Sequence, residues 1–257
     1  MGAASVVSHE PPRLAPSFYA ARGTGRRRWV DWWVLLHPPY TLWHLSYVAI
    51  GACIAPSVDG GRLAATLVAF GLAVGVSAHA LDELHGRPLR TAIPSGVLGA
   101  AAAASLAAAV AIGIVGIAKV GAGLAVFIAV GVVLTVGYNL ELLGGRLHND
   151  VVFAAAWGAF PVLTAYYAQA ETLRLPAVVA AAGAYALSAA QRSLSTPARM
   201  LRRSVASVDG TITHLDGRHA PLSTATLLAP LEAALKAMAF GLVALAVALT
   251  VLRLVDQ

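Results

Sequence analysis

The 257-residue chain is 58% hydrophobic and only 12% charged, with a mean hydropathy of +0.74 and a formal net charge of +6. Soluble domains carry about a quarter of their residues as charges, so this composition excludes an ordinary soluble domain and points to an integral membrane protein. The single cysteine, Cys53, excludes an intrachain disulfide and sits in an apolar run that reads as a buried small hydrophobe.

Residues 1–28 are polar, contain prolines and end in Arg26-Arg27-Arg28 with no apolar run before them. They lack the pattern of a cleavable signal peptide and read as a disordered cytoplasmic tail. The stretch "WVDWWVLLHPPY" then sets Trp29, Trp32 and Trp33 at headgroup level, as a short interfacial helix or aromatic belt. Seven apolar segments follow, at about 39–57, 61–82, 95–118, 120–140, 151–170, 175–191 and 232–254. Each approaches the roughly 20 residues that a helix needs to cross a bilayer. Pro38 and Pro39 suit the first turn of the first span, and Tyr166, Tyr167 and Gln169 near the end of the fifth read as interfacial anchors. The expected fold is an all-α polytopic membrane domain over 29–254, with a cytoplasmic basic loop and hairpin at 191–222. In that loop "SVASVDGTITHLDGRHAPLS" alternates apolar and polar residues around Asp209-Gly210, with Asp216-Gly217 closing the second run, as a small β-hairpin would.

All basic residues but Lys119 and Lys236 are arginines, and they are unevenly placed. With the N-terminus inside, the inner loops hold Arg87, Arg90, Arg146, Arg192, Arg199, Arg202, Arg203 and Arg218. The outer loops hold only Arg62, Lys119 and Arg174. The positive-inside rule therefore puts the N-terminus in the cytoplasm of a cell whose inner membrane this protein spans. Charge distributed this way implies membrane lipids as partners rather than nucleic acid.

Polar chemistry gathers at the inner ends of the spans. On a helix, His79, Asp82, Glu83 and Gly86 in "HALDELHGRP" share one face, with His85 at its edge. Three readings stay open: a solvated helix end with Asp82 or Glu83 pairing with Arg87 or Arg90, a phosphate-linked Mg²⁺ site, or a transition-metal site using the histidines. A second cluster, "YNLELLGGRLHND", offers Asn139, Glu141, Arg146, His148 and Asp150, with Asn149 or Asp150 capping the next helix. Glu141, one turn from a helix end, needs water or a partner. A third group, Arg192, Arg199, Arg202 and Arg203 with Ser193, Ser195 and Thr196, matches phosphate oxygens or simply meets anionic lipid. Span centres carry almost no charge, which argues against proton-coupled transport. Both an enzyme with an inner-surface site and a non-catalytic lipid-phosphate binder or scaffold fit that layout.

The layout resembles the UbiA-type intramembrane prenyltransferase superfamily. "LLHPPYTLWHLSYVAIGACIAP" is similar to its opening span, "GRPLRTAIPSG" to the Arg-Pro-Leu-Pro-Ser-Gly run after its second span, and "GGRLHNDVVFAAAWGAFPVLTAYYAQ" to its fifth. The resemblance covers about residues 34–195. It implies transfer of a prenyl chain from an isoprenoid diphosphate, with Mg²⁺ bridging the diphosphate to two aspartate motifs. Asp82 matches the central aspartate of the first motif, while Ala78, His79 and Gly86 replace other motif positions and Glu83 is an additional carboxylate. The second motif's place, "AQRSLSTPARMLRR", holds no acid, and one span follows it where the family commonly has three, so a homodimer is one way to complete the bundle. The residues expected to carry the chemistry are Asp82 and Glu83 as catalytic groups. His79, Asp82, Glu83 and Glu141 are the expected Mg²⁺ ligands, and Arg87, Arg90, Arg146 and Arg192 the expected diphosphate ligands.

Overall fold

The computed structural model describes residues 28–255; the expected N-terminal tail lies outside the described residues apart from Arg28. The chain forms helices α1 (Arg28–Leu36), α2 (Pro38–Cys53), α3 (Gly60–Leu84), α4 (Ser95–Val120), α5 (Leu124–Asn139), α6 (Asp150–Ala170), α7 (Leu175–Arg203) and α8 (Thr224–Val255). Strands β1 (Asp209–Thr213) and β2 (His219–Ser223) lie between α7 and α8. By length and composition, α3, α4, α6 and α8 are each long and apolar enough to cross a membrane; α5 is apolar but has 16 residues.

Local chemistry explains the starts of three helices. Pro38 and Pro39 open α2, where a missing N–H leaves no hydrogen bond unmade. Asp59 caps α3 by accepting the Arg62 N–H at 2.8 Å, and Asn149 caps α6 by accepting the Val152 N–H at 2.9 Å. Two helices are not uniformly α. A π segment occupies Gly71–Ala78 within α3 and another occupies Ala155–Ala159 within α6. Such segments often mark functional sites because they redirect side chains without ending the helix.

Helix α2 is the centre of the bundle and packs against α6, α8 and α3. Trp43 and Tyr47 meet Val162, Ala181, Ala184 and Leu242 in its main core. Glycine permits the closest approaches. A Cβ on Gly51 would overlap the Val162 backbone, and one on Gly158 would sit 2.6 Å from the Ala184 carbonyl oxygen. Faces turned away from this core carry exposed Val115, Val126, Phe240 and Val247, as helices solvated by lipid would.

Helix α1 does more than lie at an interface. Trp29 and Trp33 are exposed, but Val34 and Leu35 pack with Ala80, Leu89, Ile93 and Leu98. Tyr166 and Gln169 also differ from the anchors expected: both are buried, and Gln169 accepts the Asp59 N–H at 2.8 Å. The loop before α3 has an N–H to satisfy, and the α6 terminus supplies the acceptor. At the same end, Arg62 donates to the carbonyls of Ala168, Gln169 and Lys119 and pairs with Glu171 at 3.0 Å, tying α3, α4 and α6 together.

The hairpin is present, with a different turn. Asp209 and Gly210 pair with Ser223 and Leu222 and so belong to β1. The reversal is at His214–Arg218, where Gly217 adopts φ +82° and Asp216 accepts from the Arg218 N–H at 3.1 Å. The aspartate–glycine pair that supplies the left-handed residue is therefore the second one.

Candidate functional site

A polar cavity of about 300 Å³ lies among α2, α3, α5, α6 and α7, at the end of the bundle where α3 meets the loop 85–94. Its walls carry four histidines (His37, His44, His79 and His148), three arginines (Arg192, Arg199 and Arg203) and one carboxylate, Asp82. Tyr40, Tyr138, Asn139, Gln191 and Ser195 add neutral polar groups. This volume is at the small end of the range for ligand sites.

Three of the histidines are oriented by backbone carbonyls. Nδ1 of His44 donates to Trp157 O at 2.8 Å, Nδ1 of His79 to Gly75 O at 3.1 Å, and Nδ1 of His148 to Tyr138 O at 3.1 Å. A carbonyl only accepts, so each Nδ1 carries the proton and Nε2 is left for another partner. His148 also stacks on Tyr138 with ring centroids 4.4 Å apart, and His37 lies 5.7 Å from His79. The Tyr138 hydroxyl is buried, yet it finds no hydrogen-bond partner among the described residues. A buried hydroxyl in that state costs about 1–3 kcal/mol unless a ligand or water meets it.

The arginines come from one face of α7. Arg192 is held by Asp150, with Nε 2.8 Å from Oδ1, and its guanidinium lies 5.0 Å from the Phe153 ring centroid. Arg199 makes no hydrogen bond or ion pair among the described residues and lines the cavity. Ser195, between them, and Gln191, just before Arg192, are fully or nearly buried, with Gln191 Nε2 3.4 Å from Ser195 Oγ.

A second concavity, an apolar groove of about 820 Å³, runs between α3, α4, α5 and α6. Small residues such as Ala69, Ala73, Ala109 and Gly116 make room for it, and Phe70, Phe127 and Phe160 line its length. Its wall on α4 extends from Leu106 to Val120, about 20 Å at the rise of an α-helix. At its far end are Asp59, Arg62 and Lys119. At its near end Val74 and Trp157 line both the groove and the polar cavity. Val74 belongs to the π segment of α3 and Trp157 to that of α6.

The residues expected from sequence are dispersed by the fold. His79, Asp82 and Arg192 line the cavity. Glu83 is fully buried beside it and committed elsewhere: its carboxylate accepts the Leu89 N–H at 2.9 Å, the Thr91 N–H at 2.8 Å and the Thr91 hydroxyl at 2.9 Å. Neither Asp82 nor Glu83 pairs with Arg87 or Arg90. Arg87 braces the same loop, donating to Ile93 O and Ser95 Oγ at 2.6 Å each, while Arg90 and Arg146 are exposed outside the cavity wall. Glu141 is also outside it, 3.7 Å from His85 and 3.8 Å from His148. Of the arginine group for which phosphate binding and lipid contact both stayed open, Arg199 and Arg203 line the cavity with Arg192, and Arg202 does not. Their spacing from Arg192, seven and eleven residues, keeps these three on one helix face.

Among the described residues no group of three or more His, Cys, Asp or Glu side chains is placed to hold a metal ion. Mg²⁺ requires oxygen ligands in a near-octahedral set, and the cavity offers Asp82 as its carboxylate with Glu83 turned into the loop. That donor set does not fit a resident Mg²⁺. Neither a family model, a curated protein nor a solved structure matches the chain; the site's meaning rests on its own geometry.

Proposed function

We propose that this chain is a UbiA-like prenyltransferase that holds an isoprenoid diphosphate with its head in the polar cavity and its chain in the apolar groove. The observation that carries this reading is adjacency: Val74 and Trp157 border both spaces, so an amphiphile that passes these two side chains would have its head in one and its chain in the other. An apolar slot of about 20 Å suits roughly four isoprene units, each about 5 Å long from four carbon–carbon bonds of about 1.5 Å. Neither half alone argues for this ligand. A soluble phosphate compound has no use for the groove, and a neutral lipid has none for three arginines.

In this reading α2 to α8 form seven spans of the cell's inner membrane, with the N-terminus and the cavity on the cytoplasmic side, where the arginine asymmetry puts them. The allylic carbon–oxygen bond breaks and its electron pair leaves with the diphosphate, whose growing charge Arg192, Arg199 and Arg203 receive. The aromatic face of Trp157 at the junction stabilises the allylic cation. The acceptor's nucleophile then bonds to the same carbon, and Asp82 takes the proton it releases. A second reading, capture of the lipid diphosphate without transfer, is favoured by Asp82 being the one carboxylate on the cavity wall.

Calorimetry of purified protein in nanodiscs with geranylgeranyl diphosphate tests the shared core of both readings. Saturable binding that a soluble pyrophosphate does not reproduce supports it; no binding removes it. Mass spectrometry of reactions with candidate acceptors then separates transfer from capture.

A further inference from the structure

We infer that the diphosphate head is captured by the arginine face of α7 directly, without a divalent cation. This rests on the prenyl-diphosphate reading above and concerns how the same site recognises its ligand.

A metal-bridged diphosphate needs carboxylates on the protein side of the metal. Here the neighbouring carboxylates are engaged in other work. Glu83 accepts three hydrogen bonds from the loop that follows α3, and the exposed Asp150 holds Arg192. Releasing Glu83 would strand the N–H groups of Leu89 and Thr91, both in buried residues. Asp82 alone remains on the wall.

Cations stand where a metal site would need acids. Arg192, Arg199 and Arg203 recur at intervals of seven and four residues, about 10 and 6 Å along α7, which keeps them on one face. Guanidinium groups stay protonated, and their planar fork matches two phosphate oxygens at once. Arg192 is pre-positioned, since Asp150 and the Phe153 ring fix its Nε side and leave its Nη groups without a partner among the described residues. Even with Asp150 on Arg192, Arg199 adds a positive charge that no ion pair among the described residues offsets, and it favours a polyanion in the cavity with no metal added.

The test uses the full chain in nanodiscs with geranylgeranyl diphosphate as probe, titrated in excess EDTA and again in millimolar Mg²⁺. The expected Kd values agree within about threefold between the two buffers. Arg199→Gln weakens binding about tenfold or more in both, the scale of one lost charge-assisted contact. Arg199→Lys recovers part of that loss, and Arg90→Gln, outside the cavity wall, binds as wild type. Ligand-free thermal unfolding of each variant checks that the fold is kept. Binding that appears in Mg²⁺ and vanishes in EDTA overturns the inference while leaving the lipid-diphosphate reading intact. Wild-type affinity of Arg199→Gln in EDTA overturns it as well. No binding in either buffer overturns the lipid-diphosphate reading, and this inference with it.

Discussion

Nδ1 of His44 donates to the carbonyl of Trp157 at 2.8 Å, joining residues 113 positions apart. The acceptor four residues before Pro161 has lost its α-helical donor, because proline carries no N–H. His44 supplies that donor from α2, and so fixes both its own tautomer and the stretch of α6 that walls the cavity. We expect His44→Leu to lower stability by about 1–3 kcal/mol by orphaning the carbonyl. Adding Pro161→Ala restores an N–H and recovers part of the loss. Chemical unfolding in detergent of the two single variants and the double variant measures the coupling; strictly additive effects would refute the pairing.

Adjacent carboxylates Asp82 and Glu83 predict opposite phenotypes. Glu83→Ala leaves two backbone N–H groups unpaired and is expected to cost about 2–4 kcal/mol. Faster hydrogen exchange at Leu89 and Thr91 and easier proteolysis near residues 86–93 should accompany it. Asp82→Asn, on the cavity wall, should leave unfolding unchanged while altering ligand titrations. Equal destabilisation by both changes would contradict their separate placements.

Close helix contact through glycine gives a third expectation. Gly158→Ala drives a Cβ to within 2.6 Å of the Ala184 carbonyl and 2.7 Å of Ser188 Oγ. Separating α6 from α7 should cost about 1–3 kcal/mol, and it also moves Trp157 and Arg192 apart. The change in melting temperature reports the first effect and loss of diphosphate affinity the second. Gly71→Ala, whose Cβ meets nothing within 4 Å, is the control.

Chain length follows from the groove. Ile112 lies partway along its α4 wall. Ile112→Trp should obstruct the far half, leaving room for about two isoprene units at roughly 1.5 Å of helix rise per residue. Competition binding with geranyl, farnesyl and geranylgeranyl diphosphates should then shift toward the shorter chains. An unchanged preference would mean that the chain lies elsewhere.

At the far end of the groove, the Asp59 carboxyl is held below its usual range, mainly by the Arg62 N–H it accepts. A depressed folded pKa means stability that is present above the ordinary aspartate value and lost as pH falls through the folded value. Melting temperature should therefore drop on acidification through that window. Asp59→Asn, which keeps a capping oxygen without the charge, should remove this part of the pH dependence.

Hydrophobic run length and proline placement already locate the apolar helices and the start of α2, because both depend on local chemistry and the need to bury backbone. The hairpin too is visible in the alternation of residues 209–223, although Asp209-Gly210 and Asp216-Gly217 compete for the turn. The two π segments leave no comparable mark. Their register depends on contacts such as His44 to Trp157, made by residues far apart in the chain.

The sequence by itself determined that this is an apolar, helix-forming chain, with its acids, histidines and arginines gathered at the ends of its apolar runs. Only the tertiary structure decided which of those groups share a cavity. Asp82 lines it while Glu83, one residue later, turns into a loop; Arg199 lines it while Arg146 faces outward. The reason is geometric. Neighbours on a helix point about 100° apart, and the face that becomes a wall is selected by whichever other helices close around it.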